Sequence, residues 1–170
     1  GKKLKLSMGA GINKYIGDHF GRVLWMRYPG WTEKGYEWYF NSSSKREINS
    51  YLRADYMISP RINIFADLQY RNISYIMDGT DDDQLELILD KNFNFFNPKT
   101  GIYFDIDPNQ DAFLSFSVAN REPTRANFKD AKGDPDAMPQ PETLYDIEAG
   151  YTLNGSFFMA GVNLYYMYYD

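Results

Sequence analysis

The chain has 170 residues, 44% hydrophobic, 24% charged and 18% aromatic, a composition that excludes disorder and low complexity. A formal net charge of −5 leaves no basic surface for phosphate neutralisation, so nucleic acid is a poor partner. Cysteine is absent, which removes disulfides and thiolate metal sites, and a mean hydropathy below zero speaks against a helical membrane protein.

Seven segments alternate apolar and polar residues with the two-residue period of a strand. The first sets Leu4, Leu6, Met8, Ala10 and Ile12 against Lys5, Ser7, Gly9, Gly11 and Asn13. The start, Gly1-Lys2-Lys3-Leu4-Lys5-Leu6, lacks the continuous apolar core of a secretory signal, because Lys and Ser interrupt its apolar positions, and it reads as an internal start. The second carries Ile48, Leu52, Ala54, Tyr56 and Ile58 opposite Glu47, Arg53 and Asp55, and the third Ile62, Ile64, Ala66, Leu68 and Tyr70 opposite Asp67 and Arg71. Further copies are Ile102, Phe104 and Ile106; Leu114, Phe116 and Val118; Tyr145, Ile147, Ala149 and Tyr151; and Phe158, Ala160, Val162, Leu164, Tyr166 and Tyr168. The fold class is therefore all-β, an antiparallel meander of about seven long strands.

Connections alternate in length. Short turns are expected at Ser59-Pro60, at Asp107-Pro108-Asn109-Gln110 and at Asn154-Gly155, the last a two-residue hairpin signal. Long polar connections are expected from Gly17 to Lys45, Asp78 to Asn92 and Arg121 to Pro141. One plain end and one elaborated end is the habit of outer-membrane barrels. Runs of about 10 to 14 residues also exceed ordinary strands and suit a tilted bilayer crossing. Such strands show lipid only every second residue, which explains the low hydropathy, and Arg53, Asp55, Asp67, Arg71 and Glu148 then point to a wet interior. Tyr56, Tyr70, Tyr151, Tyr166 and Tyr168 are candidates for aromatic girdles. Seven strands are too few and odd for a closed barrel, so the chain reads as a segment of a large transmembrane β-barrel. A soluble antiparallel β module binding carbohydrate and a passive porin-like barrel are the alternatives.

One series of residues is more specific. Asn97-Pro98-Lys99-Thr100-Gly101-Ile102 is followed, after an Asp-Pro turn, by the run from Ala112 to Val118 and Ala119-Asn120-Arg121-Glu122-Pro123-Thr124-Arg125. Next come Pro141-Glu142-Thr143-Leu144-Tyr145-Asp146-Ile147-Glu148-Ala149-Gly150-Tyr151 and Ala160-Gly161-Val162-Asn163-Leu164-Tyr165. This series resembles the C-terminal part of the β-barrel of TonB-dependent outer-membrane receptors, particularly those of Bacteroidetes-like bacteria. The resemblance implies residence in the outer membrane of a Gram-negative bacterium, in contact with its lipid. It also implies active import of a scarce ligand such as a siderophore, haem, cobalamin or oligosaccharide, energised by TonB through a plug domain. Residues 1–170 would be one segment of that barrel, without plug or final strands.

Candidate ligand contacts lie in the long connections. Trp25, Trp31 and Trp38 stand among Tyr28, Tyr36 and Tyr39, and such aromatics either stack on a planar ligand or fold the loop on itself. Arg121 and Arg125 end a strand on the loop side, where they either grip an anionic ligand or pair with neighbouring carboxylates. The acidic run Asp78 to Asp83 with Glu86 lacks the EF-hand spacing and reads as an exposed acidic loop, not a metal site. A single His19, placed in a loop, supports no catalytic or metal constellation, and neither an enzyme nor a cofactor is expected.

Overall fold

The computed structural model describes residues 3–131 and 137–170. The Gly1-Lys2 start, and residues 132–136 of the connection after Arg121, lie outside that range. Seven strands form one sheet in sequence order: β1 (Leu4–Arg22), β2 (Glu37–Ser59), β3 (Ile62–Gly79), β4 (Leu89–Asp107), β5 (Gln110–Arg121), β6 (Glu142–Asn154) and β7 (Met159–Tyr169), each antiparallel to the next. A short helix, α1 (Arg125–Asp130), interrupts the connection from β5 to β6.

Direct cross-strand pairing carries the two-residue period across the whole sheet. Leu4, Tyr56, Ile64, Ile102, Leu114, Ala149 and Leu164 form one row, and Leu6, Ala54, Ala66, Thr100, Phe116, Ile147 and Tyr166 the next. A one-residue slip at any seam would break every such row, so the apolar pattern specifies the register. The other face carries Lys5, Asp55, Ser115 and Glu148 in one row and Arg53, Asp67, Lys99 and Asp146 in another. On it, Gly9, Gly101 and Gly150 each lie opposite an aromatic, Tyr51, Phe65 and Phe113. The rings fold over the bare glycine backbone and shield it, as edge-glycine rescue does in other sheets.

The outward apolar band has definite edges. On β2 it runs from Ile58 to Ile48, and the next outward residue is Arg46. About eleven residues at roughly 3.3 Å each, tilted about 45°, span about 25 Å, the apolar height of an outer-membrane barrel. At the upper edge Tyr70 Oη donates to Asn94 Oδ1 at 2.7 Å, and Asn72 donates to Asn92 and Asn94 at 2.8 Å each. Near the lower edge Tyr151 Oη donates to Gln110 Oε1 at 2.5 Å. Both hydroxyls are thus anchored where the chain leaves lipid.

The strands are longer than expected, 19, 23, 18 and 19 residues for β1 to β4. Above the band, Ser42, Ser43 and Ser44 still pair with Asp78, Met77 and Ile76, because backbone bonding needs no apolar side chain. The first two long connections therefore shrink to 23–36 and 80–88. His19 lies in β1 opposite Asn41, and Trp38 in β2. The turn after Asn154 is also longer than two residues: Gly155 N–H donates to the Phe158 carbonyl at 2.7 Å, which places Phe158 in the turn.

Candidate functional site

The connections 23–36, 80–88 and 122–141 emerge at the same end of the sheet, and residues 122–131 of the third fold back across the inner face. Its departure begins at Pro98. The β4–β5 ladder stops at Lys99, beside a residue with no N–H to contribute. Above that point the side chain of Asn97 replaces the ladder, its Oδ1 accepting from the Asn120 N–H at 3.0 Å and from Asn120 Nδ2 at 2.8 Å. The freed chain then carries Glu122 over β4 and β3 to Lys45 on β2, with Nζ to Oε1 at 2.5 Å. Arg71 Nη2 lies 3.7 Å from the other Glu122 oxygen, and its Nε donates to Glu47 at 3.0 Å. Burial alone would raise the Glu122 carboxyl, but the bonds from Lys45 and its own backbone and the charge of Arg71 outweigh it and hold it below the ordinary carboxylate range.

Next, α1 docks. Thr124 caps it reciprocally with Asn127, the side chain of each accepting from the backbone of the other. Phe128 enters a socket formed by Met77 and Leu89, directly paired across β3 and β4, with Tyr75 at its edge, 6.4 Å between ring centres. Ile73 and Phe95 are also buried on this face. On β3 and β4 the upper inner face is therefore apolar and covered by α1, beside the charged cluster of Lys45, Glu47 and Arg71, against the expectation of a wet interior. The misplaced apolar residues Ile73, Met77, Leu89, Phe93 and Phe95 on the polar parity are the signal that sequence reading passed over. Arg125 and Lys129, four apart on one side of α1, face the acidic run. Arg125 Nη2 meets Asp81 Oδ1 at 2.6 Å, while Lys129 Nζ lies 3.2 Å from Asp81 Oδ2, 3.6 Å from Asp83 Oδ2, and hydrogen-bonds Asp82. Desolvation works against the charged Asp81, yet Lys129, a backbone bond and Arg125 keep its carboxyl depressed. The bond to Asp82 chiefly raises the Lys129 ammonium. Asp81, Asp82 and Asp83 converge closely enough to share one cation, and the ammonium of Lys129 fills that role.

The candidate ligand contacts separate into two groups. Trp25 and Trp31 lie in the first connection and are 79% and 102% exposed. That connection is held by the Val23 N–H donating to the Tyr36 carbonyl at 2.9 Å and the Gly35 N–H to Val23 at 2.7 Å, with Gly30 and Gly35 at positive φ. A shallow cleft of about 310 Å³ lies between Trp25, Pro29 and Lys34. Among the described residues no tryptophan stacks on another ring. Trp38 is tied down instead, its indole N–H donating to the Asp82 carbonyl at 2.9 Å. Both arginines are engaged with carboxylates: Arg121 with Glu142 at 2.7 Å, on adjacent strands, and Arg125 with Asp81. The structure thus brings Trp38, Arg125 and the acidic run together around α1 and leaves Trp25 and Trp31 free above them.

A family model described as TonB dependent receptor-like, beta-barrel matches residues 3–170. No curated protein matches. Among solved structures, the chain superposes on the ferric-catecholate import receptor Fiu from K12 E. coli with a TM-score of 0.73 at 12% identity, covering 96% of this chain and 28% of that one. The copper transporter OprC gives 0.70 at 12% identity over 97% and 28%, and the FrpB iron transporter from Neisseria meningitidis 0.57 at 17% over 74% and 18%. The chain spans at most 28% of the length of these structures, and at such identities the likeness is one of fold.

Proposed function

The chain belongs to the TonB-dependent receptor β-barrel family, whose barrels reside in the Gram-negative outer membrane, and from that premise we propose that it forms seven barrel strands of an active importer. The reading is carried by the outward apolar face, about 25 Å tall, backed by a charged inner face. Asp67 and Asp146 on the inner face each keep a buried oxygen without a hydrogen-bond partner, which favours a polar plug domain packed against them. Through that plug TonB would supply the energy. By name Fiu is a ferric-catecholate import receptor, FrpB an iron transporter and OprC a copper transporter, so a scarce metal or metal complex is the ligand class to test first.

Ligand capture falls to the loop end. Trp25 and Trp31 offer free ring faces that stack on a planar ligand, and Trp38 holds the second connection beneath them. Arg121 and Arg125 complete the rim through their carboxylate partners and meet an anionic ligand only by exchanging those partners. Ligand uptake by cells carrying the full-length receptor, with and without TonB, tests the reading. Uptake that stops without TonB supports it, and TonB-independent entry identifies a passive barrel. Trp25→Ala and Trp31→Ala should each weaken ligand binding about tenfold, the worth of one stacking contact. Unchanged affinity in both removes the tryptophans from the site.

A further inference from the structure

Residues 122–131 form a strap across the inner face, and the strap carries one carboxylate inward. Glu122 lies just past the end of β5; its side chain, 10% exposed, sits between Lys45 Nζ at 2.5 Å and Arg71 Nη2 at 3.7 Å. The two cations come from different strands and rows, Lys45 of β2 pairing with Tyr75 and Arg71 of β3 with Asn49. Glu47, in the row between, accepts from Arg71 Nε at 3.0 Å. One carboxylate of the sheet and one of the strap therefore balance two cations of the sheet. Withdrawal of the strap leaves the cations in excess on the inner wall.

A pocket of about 270 Å³ continues downward from this cluster, its inward side chains being Glu47, Asn49, Tyr51, Gln69 and Arg71. Asn49 and Tyr51 lie opposite Gly11 and Gly9 of β1, where a Cβ would stand 3.1 Å from Asn49 Oδ1 and 2.5 Å from the Tyr51 ring. The glycines thus give both side chains room to lean toward β1, away from Gln69 and Arg71. Among the described residues no hydrogen bond engages the side chain of Asn49, Tyr51 or Gln69, whereas Arg71 is held by Glu47 and by the Asn120 carbonyl at 3.5 Å. Two amides and a phenol without internal partners suit hydroxyl groups. The volume falls below the roughly 300–1,000 Å³ of a whole ligand site, so the pocket takes one arm of a larger ligand.

The Lys45–Arg71 pair already holds a carboxylate, so carboxylate is the charge it selects. Glu122 is kept there by contacts of the strap alone: Phe128 in its socket, and Arg125 and Lys129 on the acidic run. A rival carboxylate can replace it without breaking a strand pairing. We propose that Lys45 and Arg71 form an anion subsite which Glu122 guards as an internal competitor, and that a hydroxycarboxylate arm of the ligand displaces it. The incoming carboxylate takes the two cations, its hydroxyls bond Asn49, Tyr51 and Gln69, and the strap opens for want of its Glu122 anchor. The coupling is reciprocal: whatever loosens the strap strengthens the ligand, and the ligand loosens the strap. The inference rests on the importer reading above.

The test titrates the purified full-length receptor with gluconate and with glucitol, which share a chain of hydroxyls and differ by the carboxylate. Sodium chloride at matched ionic strength controls for screening of the ion pairs. Saturation-transfer NMR reads binding, and hydrogen exchange reads the strap. Gluconate should bind about tenfold better than glucitol, the worth of one charge-assisted hydrogen bond, and at saturation should speed exchange of the Phe128 and Ala131 amides about tenfold. Glucitol and chloride should leave those amides unchanged. Glu122→Gln should bind gluconate about tenfold more tightly than wild type, and its faster strap exchange should no longer respond to gluconate. Gln69→Leu, which touches no part of the strap, should weaken gluconate while strap exchange without gluconate stays as in wild type. Equal binding of gluconate and glucitol, strap exchange indifferent to gluconate, or a Glu122→Gln protein no tighter than wild type overturns the proposal. These readouts need no TonB. Any of those results alongside TonB-driven uptake refutes the anion subsite alone, whereas TonB-independent uptake refutes the importer reading even where gluconate opens the strap.

Discussion

Phe128→Ala should release the strap that covers the inner face while leaving the sheet intact. Phe128 is 5% exposed, against Met77 and Leu89 at 1% and 5%. Truncating so buried a Phe costs about 3–5 kcal/mol, transfer and cavity terms together. A six-residue helix cannot hold itself without such packing, since isolated helices need about 12–15 residues. The loss therefore falls on local opening of α1 and not on global unfolding, and about 3 kcal/mol corresponds to roughly 100-fold greater opening. Hydrogen exchange followed by mass spectrometry in the full-length receptor measures it. The Phe128 and Ala131 amides, which donate to Thr124 and Asn127 at 3.3 and 3.1 Å, should exchange roughly 100-fold faster, while β3 and β4 keep their protection. Unaltered exchange over 125–131 would refute the packing argument. Loss of protection throughout β3 and β4 would show that the socket belongs to the core of the sheet.

Acid should loosen the same strap. The Asp81 and Glu122 carboxyls are depressed in the folded state, so their contribution is complete above the unfolded carboxylate value of about 4 and fades as pH falls through the lower folded values. Proteolytic nicking between Glu122 and Pro141 should thus be flat from about pH 8 to 5 and rise only below about pH 4; a rise near neutrality would contradict the ion-pair account. Gly101→Ala should destabilise the barrel by about 1–3 kcal/mol in urea unfolding from lipid vesicles. Its Cβ would stand 2.6 Å from the Phe65 ring and 2.8 Å from the Leu114 carbonyl, and the backbone cannot yield. Gly161→Ala, whose nearest neighbour would be 3.7 Å away, serves as the silent control, and equal effects would sink the close-approach argument.

Sequence alone was enough for the seven strands, their order and the outward face, because every second residue from Leu4 to Ile12, Leu52 to Ile58 and Leu114 to Val118 obeys one solvent rule set by lipid. The resemblance seen from Asn97 onward pointed to the family that matches residues 3–170. Tertiary structure decided what lies outside that rule. Above the band both faces meet polar surroundings or a folded loop, so Ser42 to Ser44 and the Ile73 to Met77 stretch carry no readable period, and strand length there follows from backbone pairing. The partners of Arg125, Lys129 and Glu122 lie 44, 47 and 77 residues away in the chain. No local pattern brings such groups together; the curl of the sheet and the release of β5 beside Pro98 do.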